Sequence, residues 1–195
     1  MKKQRSLILL KPDAVQRGLM GKIIKRFEQV GLTIIGLKFI WATENQIIDH
    51  YPSTDKWFTT VGQRTLTNYQ KKGLDAAKVF GTTDAIAIGK TVKQWLIKYL
   101  QQSLVLIFVL EGYDAIELVR KLCGNTIPLL AASGTIRGDF AHDTIDLANE
   151  QLRPLKNLIH ASDTVEDAEK EVRVWFKPEE LFEYERADEE IMFEK

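Results

Sequence analysis

Apolar runs of strand length alternate with helical patterns along this chain, and this alternation constrains the fold more than any other feature. The clearest strand is predicted at residues 103–111, where SLVLIFVLE is apolar almost throughout, as is typical of a strand buried on both faces. Three more strands are predicted, at residues 5–11, at 32–42 and just before His160. Apolar side chains at helical spacing predict helices between and after the strands, at residues 19–30, 113–122 and 165–175.

The order of these elements is strand, helix, strand, given twice. It predicts an α+β sandwich of the ferredoxin-like type, βαββαβ with an antiparallel sheet, to which a mainly helical insertion is added. We expect a single domain over residues 1–195, with insertions at about 63–102 and 141–156. The first insertion contains an amphipathic helix from about Asp84 to Leu100, whereas the second is polar and reads as irregular. The tail, residues 177–195, is either a docking arm or a frayed end.

Composition excludes several classes of protein. The 27 lysines and arginines equal the 27 aspartates and glutamates, so no long-range field favours nucleic acid or an anionic membrane. The single cysteine, Cys123, excludes an internal disulfide and is expected to be a buried structural thiol. The apolar run Leu7–Leu10 is too short for a signal peptide, and no run approaches the roughly 18 apolar residues of a membrane span. A soluble, cytoplasmic protein is expected.

The sequence Gly89-Lys90-Thr91 imitates the end of a phosphate-binding P-loop. That motif requires a glycine five positions before the second glycine, and this position holds Asp84. A carboxylate there would repel the phosphates that backbone N–H groups must bind. Gly89 also falls within a helical pattern, so a P-loop is not expected.

The segment NLIHASD, residues 157–163, is the strongest candidate for chemistry. It places His160 at a strand end, and Asp163 could cap the following helix with Glu166 at its third position. Neutral imidazole is a nucleophile that forms covalent intermediates. A lone histidine is more often a structural residue, so its neighbours decide the interpretation.

Several polar residues stand where ligands of phosphate groups would stand. Guanidinium groups bind phosphate oxygens in bidentate fashion, and Arg137 lies in GTIRGDF, a predicted turn whose two glycines would let the backbone approach a ligand. Taken singly, these residues have structural alternatives: Lys11 could be a solvated lysine, Arg120 a cation at a helix end, and Arg137 a turn arginine paired with Asp139. Together with His160 they form a phosphate-binding set: Lys11, Arg120, Thr126 and Arg137. Replacing Arg137 by alanine is expected to depress turnover and leave the fold intact.

In their order along the chain, these motifs resemble those of the nucleoside diphosphate kinases. The resemblance runs from the first strand to near the C-terminus and leaves only the two insertions unmatched. It is carried by LLKPDAVQRG (9–18), HY (50–51), RKLCGNT and Pro128 (120–128), GTIRGDF (134–140), NLIHASD (157–163) and the segment 168–181.

The resemblance implies a role for each matching residue. His160 would be the nucleophile, phosphorylated by one nucleotide and discharged onto another, with Glu171 and Ser162 orienting the imidazole and Tyr51 lying against it. The phosphate ligands would be Lys11, Arg120, Thr126 and Arg137; Lys11 and Asn157 would also bind the ribose hydroxyls, and Phe58 would stack on the base. The implied partners are nucleoside di- and triphosphates and further copies of the chain, in a dimer-based tetramer or hexamer. Since no carboxylate cluster resembles a metal cage, Mg²⁺ is expected to arrive with the nucleotide phosphates.

Four positions depart from the common family pattern without removing a residue that the chemistry needs. Pro52 and Ser53 stand where many members carry an acidic residue, Ile127 replaces an asparagine, and Ala161 replaces a glycine. Two alternatives to the kinase stay open: a non-catalytic nucleotide-sensing or interaction module on the same fold, and a nucleic-acid-binding protein, which the zero net charge disfavours.

Overall fold

The computed structural model describes residues 2–194, which fall into two compact units. The first unit comprises the chain up to Trp41, Ser103–Asp143 and the residues from Lys156 onward. The second comprises Ala42–Gln102 and Thr144–Leu155. The strands are β1 (Gln4–Leu10), β2 (Thr33–Ile40), β3 (Val105–Gly112) and β4 (Ile159–Ala161). The helices are α1 (Pro12–Gln16), α2 (Met20–Glu28), α3 (Glu44–His50), α4 (Asp55–Lys71), α5 (Ala76–Phe80), α6 (Ala85–Leu100), α7 (Ala115–Cys123), α8 (Ile136–Phe140), α9 (Ile145–Glu150), α10 (Val165–Trp175) and α11 (Glu189–Phe193).

The four strands form one antiparallel sheet in the first unit, in the order β2-β3-β1-β4. The two central strands, β1 and β3, are apolar on both faces, and this explains why their sequences are continuous apolar runs rather than alternating ones. The predicted α+β, ferredoxin-like fold is confirmed. The predicted strands and helices differ from the observed ones by a few residues at their ends.

Alternate residues of the central strands face two different layers. Ile8, Leu10 and Phe108 belong to the main hydrophobic cluster with Phe27 of α2 and Val119 of α7. Cys123, at the end of α7, is 1% exposed in the same cluster, so the predicted buried thiol is confirmed. The intervening strand residues are also fully buried, and α10 packs against β1. This packing places the helix with Glu171 beside β1, the strand that Lys11 directly follows.

The tail is docked on its own unit. The Phe182 amide donates to the Ile35 carbonyl (2.7 Å), and the Arg186 guanidinium donates to the Leu32 carbonyl (3.1 Å). The ammonium of Lys3 pairs with the buried Glu189 carboxylate at 2.8 Å. The described part of the tail therefore contacts its own unit, which excludes the frayed end, and the docking arm stays a prediction.

The second unit is helical. In it α4 and α6 cross at two glycines: a Cβ at Gly62 would overlap the Ala85 carbonyl, and a Cβ at Gly89 would overlap the Phe58 carbonyl. Asp84 caps α6 through the Ala87 amide (2.8 Å), and Gly89 lies inside that helix, as predicted, rather than in a phosphate-binding loop. The Thr43–Gln46 pair forms the capping box of α3.

Two segments are more regular than the sequence predicts. The polar stretch 141–156 contains α9, capped by Thr144, and GTIRGDF is mostly the helix α8, capped by Thr135. Gly138 approaches the Ala132 carbonyl closely, so its small size serves helix packing rather than contact with a ligand. None of the helices in residues 2–194 has the length and apolar character of a membrane span.

Candidate active site

Four of the predicted site residues meet at Asn157, which lies just before β4 and is 4% exposed. Its Oδ1 accepts a hydrogen bond from Lys11 Nζ at 2.6 Å, and its Nδ2 donates to the Thr126 carbonyl at 2.8 Å. Its backbone carbonyl accepts from Arg137 Nε at 3.2 Å. The side-chain amide of Asn157 thus joins Lys11 to the loop that carries Thr126, and its backbone carbonyl binds the arginine. One short polar side chain connects groups more than 140 residues apart in sequence (Lys11–Asn157, 146 residues).

Lys11 is held in a buried, electropositive position at the end of β1. Its side chain is 8% exposed, and burial lowers the pKa of its ammonium from 10.5 to about 8. This value already includes the effect of the Arg137 guanidinium, which also lowers the pKa, and that of the Asp13 carboxylate, which raises it. An anion bound beside this lysine would stabilise its charged ammonium, which burial and the neighbouring arginine destabilise.

Asp13 is a site residue that the sequence reasoning missed. It is buried, and its Oδ2 accepts a hydrogen bond from the Leu158 amide at 3.0 Å. Leu158 is fully buried with φ +70°, a left-handed conformation that costs a leucine about 1–3 kcal/mol. The carboxylate and the Lys11 amide, which donates to the Leu158 carbonyl at 2.8 Å, hold this turn between Asn157 and β4. Its closeness in sequence to Lys11, in the segment KPD at residues 11–13, could have indicated Asp13 as a site residue.

Arg137 is buried and bound to three backbone carbonyls. Its Nη1 donates to Gly124 and its Nη2 to Ile159, both at 2.7 Å, in addition to the Nε contact with Asn157. Burial lowers the pKa of its guanidinium below the ordinary value, although arginine stays charged. These three contacts argue against the expectation that Arg137→Ala leaves the fold intact, because that change removes the partner of three carbonyls. The suggested pair with Asp139 is wrong, since Asp139 binds Arg26.

His160 is fixed by a chain of hydrogen bonds that begins on the sheet. It lies opposite Leu9 in the β1–β4 register. Its Nε2 is 2.9 Å from Glu171 Oε1, and Glu171 Oε2 accepts from Ser162 Oγ at 2.6 Å. Ser162 Oγ in turn accepts from the Leu7 amide at 3.0 Å. The imidazole is therefore oriented through a carboxylate and a hydroxyl by the backbone of β1, and it remains partly exposed.

The N-cap of the helix after His160 lies one residue later than predicted. Thr164 is the N-cap of α10 and accepts from the Asp167 amide at 3.0 Å, so Asp163 does not cap the helix. Asp163 instead pairs with the half-exposed guanidinium of Arg120. The hydroxyl of threonine competes successfully for the cap, while the long-range pair with Arg120 is invisible in the local sequence. Thr126, the remaining phosphate-ligand candidate, is exposed.

Tyr51 and Phe58, the other two predicted site residues, belong to the second unit. Tyr51 is the C-cap of α3, and its ring lies 6.2 Å from that of Trp57. Phe58, in the first turn of α4, packs edge-to-face on Trp57 at 5.6 Å and lies 5.8 Å from the Lys90 ammonium. It is 8% exposed, so only a small part of its ring is open to a ligand. A cavity of about 550 Å³ in this unit, lined by Tyr69, Leu74 and Val79 among others, involves none of the predicted site residues.

Lys93 of α6 is a second residue that the sequence reasoning missed. It is 5% exposed, and its ammonium donates to the Tyr51 carbonyl (2.7 Å), the Ile48 carbonyl (3.0 Å) and Ser53 Oγ (2.5 Å). Its presence on the apolar side of the amphipathic helix was the sign that it has a buried partner.

Comparison with known proteins agrees with this arrangement. The family model described as "Nucleoside diphosphate kinase" matches residues 4–93 and 84–181. A nucleoside diphosphate kinase of Pyrobaculum aerophilum is 46% identical over 180 residues, which are 92% of this chain and 98% of that protein.

Solved structures give the same result. The crystal structure of an NDP kinase from Pyrobaculum aerophilum superposes with a TM-score of 0.92 at 44% identity, covering 93% of this chain and 100% of that one. A structure described as a transition-state mimic of the Borrelia burgdorferi kinase, with bound vanadate and ADP, gives a TM-score of 0.76 at 36% identity and covers 97% of this chain and 96% of that one. The motifs, the fold and these similarities together establish that the chain belongs to the nucleoside diphosphate kinase family of enzymes.

Proposed function

We propose that this protein transfers the γ-phosphate of a nucleoside triphosphate, typically ATP, to a nucleoside diphosphate in two steps through a phosphohistidine on His160. In the first step the imidazole lone pair attacks the γ-phosphorus. The N–P bond forms, the bond from γ-phosphorus to the bridging oxygen breaks, and the diphosphate leaves with the electron pair. In the second step a terminal oxygen of another diphosphate attacks the same phosphorus, and the imidazole is the leaving group. Because one site serves both nucleotides in turn, the kinetics are ping-pong.

The observation that carries this proposal is the Ser162–Glu171–His160 chain. A carboxylate that accepts from Nε2–H holds the imidazole in the tautomer whose lone pair is on Nδ1. Nδ1 is therefore the nucleophile that we assign. The carboxylate also stabilises the charge that develops on the ring when the N–P bond forms.

Charge neutralisation is the second requirement of phosphoryl transfer. Lys11 and Arg137 are buried cations at Asn157, and Arg120 is a half-exposed one. In this proposal they bind the phosphates together with Thr126, Asn157 and Lys11 bind the ribose hydroxyls, Tyr51 lies against the imidazole, and Phe58 stacks on the base.

The metal is expected to be bound to the nucleotide. The polar groups around Asn157 are an ammonium, a guanidinium and amide groups, a donor set that suits phosphate oxygens rather than a free divalent cation. When bound with the nucleotide, Mg²⁺ would supply positive charge that offsets the charge of part of the phosphate oxygens. The residues of this chain then hold the remaining oxygens.

The assembly that we propose is a homo-oligomer built from dimers, either a tetramer or a hexamer. Leu37, Phe39 and Trp41 alternate along the edge strand β2 and its end, and each side chain is about half exposed or more. Apolar side chains in such a row commonly become buried by a second copy. Light scattering after gel filtration measures the number of copies. The cytoplasmic location stays a prediction from the sequence.

The decisive experiment is a phosphoenzyme assay without an acceptor. Purified protein is mixed with Mg²⁺ and γ-labelled ATP, and GDP is then added. We expect a label that is acid-labile and base-stable, that is absent from His160→Ala and that is chased into GTP. Glu171→Gln should form the same label about 10- to 100-fold more slowly, since the ring loses its oriented partner, whereas Glu169→Gln on the exposed side of α10 should match the wild type.

Two results would contradict the proposal. Label that persists in His160→Ala would assign the nucleophile to another residue. A folded protein that binds ATP but never becomes labelled would be a nucleotide-sensing module on the same fold.

A further inference from the structure

Lys93 lies in an environment that a lysine occupies only when it has several partners. It is on the buried side of α6, and burial lowers the pKa of its ammonium, while Asp49 raises it. The three short contacts, to the carbonyls of Ile48 and Tyr51 and to Ser53 Oγ, match the three N–H donors of an ammonium. Lys93 is therefore a three-way connection between α6 and residues 48–53.

These partners lie at the end of α3, where a helix has carbonyls without intrahelical partners. A cation at this end also interacts favourably with the helix dipole. The chain leaves α3 through Tyr51, Pro52 and Ser53 before α4 begins at Asp55. The Lys93 ammonium thus determines the path of the backbone that carries Tyr51.

The same helix contacts the backbone of Phe58. Gly89, one turn before Lys93, lies so close to the Phe58 carbonyl that a Cβ would overlap it. The next residue, Lys90, has its ammonium 5.8 Å from the centre of the Phe58 ring. Tyr51 and Phe58, which the proposed function assigns to the site, are therefore both held by the Gly89–Lys93 segment of one helix, which the sequence predicts to be part of an insertion.

We propose that α6 is a positioning element of the nucleotide site, in which Lys93 fixes the backbone at Tyr51 and Gly89 lets the helix pack directly on Phe58. This inference rests on the proposed function, since it assigns Tyr51 and Phe58 to the site. It gives the helical insertion a role in catalysis through two residues of the site. The cation also stands beside Pro52 and Ser53, the positions where the chain departs from the acidic residue common in the family.

The test separates the rate constant of phosphorylation from the number of competent molecules. Rapid-quench labelling with saturating ATP gives both: the amplitude counts folded sites and the exponential gives the rate constant. Lys93→Met keeps the apolar stem and removes the ammonium. We expect its rate constant to fall about 10- to 100-fold with the amplitude retained, because a small displacement at a reacting centre has effects of this size. Amide hydrogen exchange at residues 50–54 should accelerate in the same variant.

Two further variants and a control complete the experiment. Ser53→Ala, at an exposed position, removes one partner of Lys93 and should give a smaller loss of rate constant in a fully folded protein. Gly89→Ala should raise KM for the nucleotide more than it lowers kcat, because it displaces Phe58. Lys98→Met removes an exposed lysine from the same helix and should match the wild type.

A merely structural Lys93 would overturn the inference and is recognisable. In that case Lys93→Met loses amplitude while the remaining molecules react at the wild-type rate constant, and Ser53→Ala has no effect. Failure of the proposed function looks different, because then the wild type itself acquires no label.

Discussion

Single buried cations carry much of the chemistry of this molecule, and each has a different kind of partner. Lys11 binds an amide oxygen, Arg137 binds backbone carbonyls, and Lys93 binds carbonyls and a hydroxyl. Neutral partners satisfy the hydrogen-bonding groups of a cation and leave its charge uncompensated. Lys11 and Arg137 therefore keep charges that attract an anion, although the Asp13 carboxylate near Lys11 raises the pKa of its ammonium.

The pKa of Lys11 predicts the pH dependence of nucleotide use. Its value in the free protein is about 8, below the ordinary 10.5, so the ammonium loses its proton as the pH rises through 8 and the site loses one positive charge. We expect kcat/KM for the nucleotide to fall by up to about tenfold per pH unit above this value. Binding of a polyphosphate above about pH 8 should take up a proton, because the ammonium of the free protein has lost its proton there and the bound anion restores the cation.

Steady-state kinetics between pH 6.5 and 9.5 test this prediction. Lys11→Arg is the matched variant, since its guanidinium stays charged over the whole range; it should lose the decline whatever its absolute rate. A wild-type profile that stays flat to pH 9.5 would contradict the prediction.

At the level of helices and strands, the sequence pattern predicts those elements correctly whose structure is determined by residues close together in sequence. The continuous apolar sequence of β3 and the Thr43–Gln46 capping box of α3 both follow from neighbouring residues. The N-cap of α10 did not follow, because Thr164 takes the cap and Asp163 pairs with Arg120, far away in sequence. The partners of Arg137 and Lys93 were unpredictable for the same reason. Motifs in the sequence therefore identify the candidate site residues, but they do not predict the contacts that hold these residues in place.

Arg137 stabilises the junction between elements as much as it serves the site. Its guanidinium joins the end of α7 at Gly124 to the two residues on either side of the turn before β4. Arg137→Met leaves three carbonyls without this partner, and we expect it to lower the free energy of unfolding by about 3 kcal/mol. Urea denaturation of the purified variants measures the loss. Lys121→Met, which removes an exposed cation from α7, should stay within about 0.5 kcal/mol of the wild type. Equal stability of the two variants would show that the carbonyls find other partners.

For the whole molecule, one thiol reports on the integrity of the first unit. Cys123 is 1% exposed in the main cluster, and burial raises the pKa of its thiol to about 11. Because only a thiolate reacts rapidly, we expect a disulfide reagent at pH 8 to modify the native protein at least about 1,000-fold more slowly than the urea-unfolded protein. Colorimetric labelling in increasing urea should follow unfolding of the sheet measured by circular dichroism. Rapid labelling in buffer alone would show that the cluster around α7 opens without global unfolding.

The short strand β4 has a consequence for the order in which the protein is made. It pairs with β1 although 146 residues separate Lys11 from its partner Asn157, and synthesis proceeds from the N-terminus. During translation, β1 therefore presents an unpaired edge until the chain has grown past residue 161, and exposed edges of apolar strands invite association with other chains. His160 acquires its carboxylate partner only when Glu171 has followed. A nascent chain stalled before that point has most of its sheet but no oriented nucleophile, so catalytic competence is among the last properties that the growing polypeptide gains.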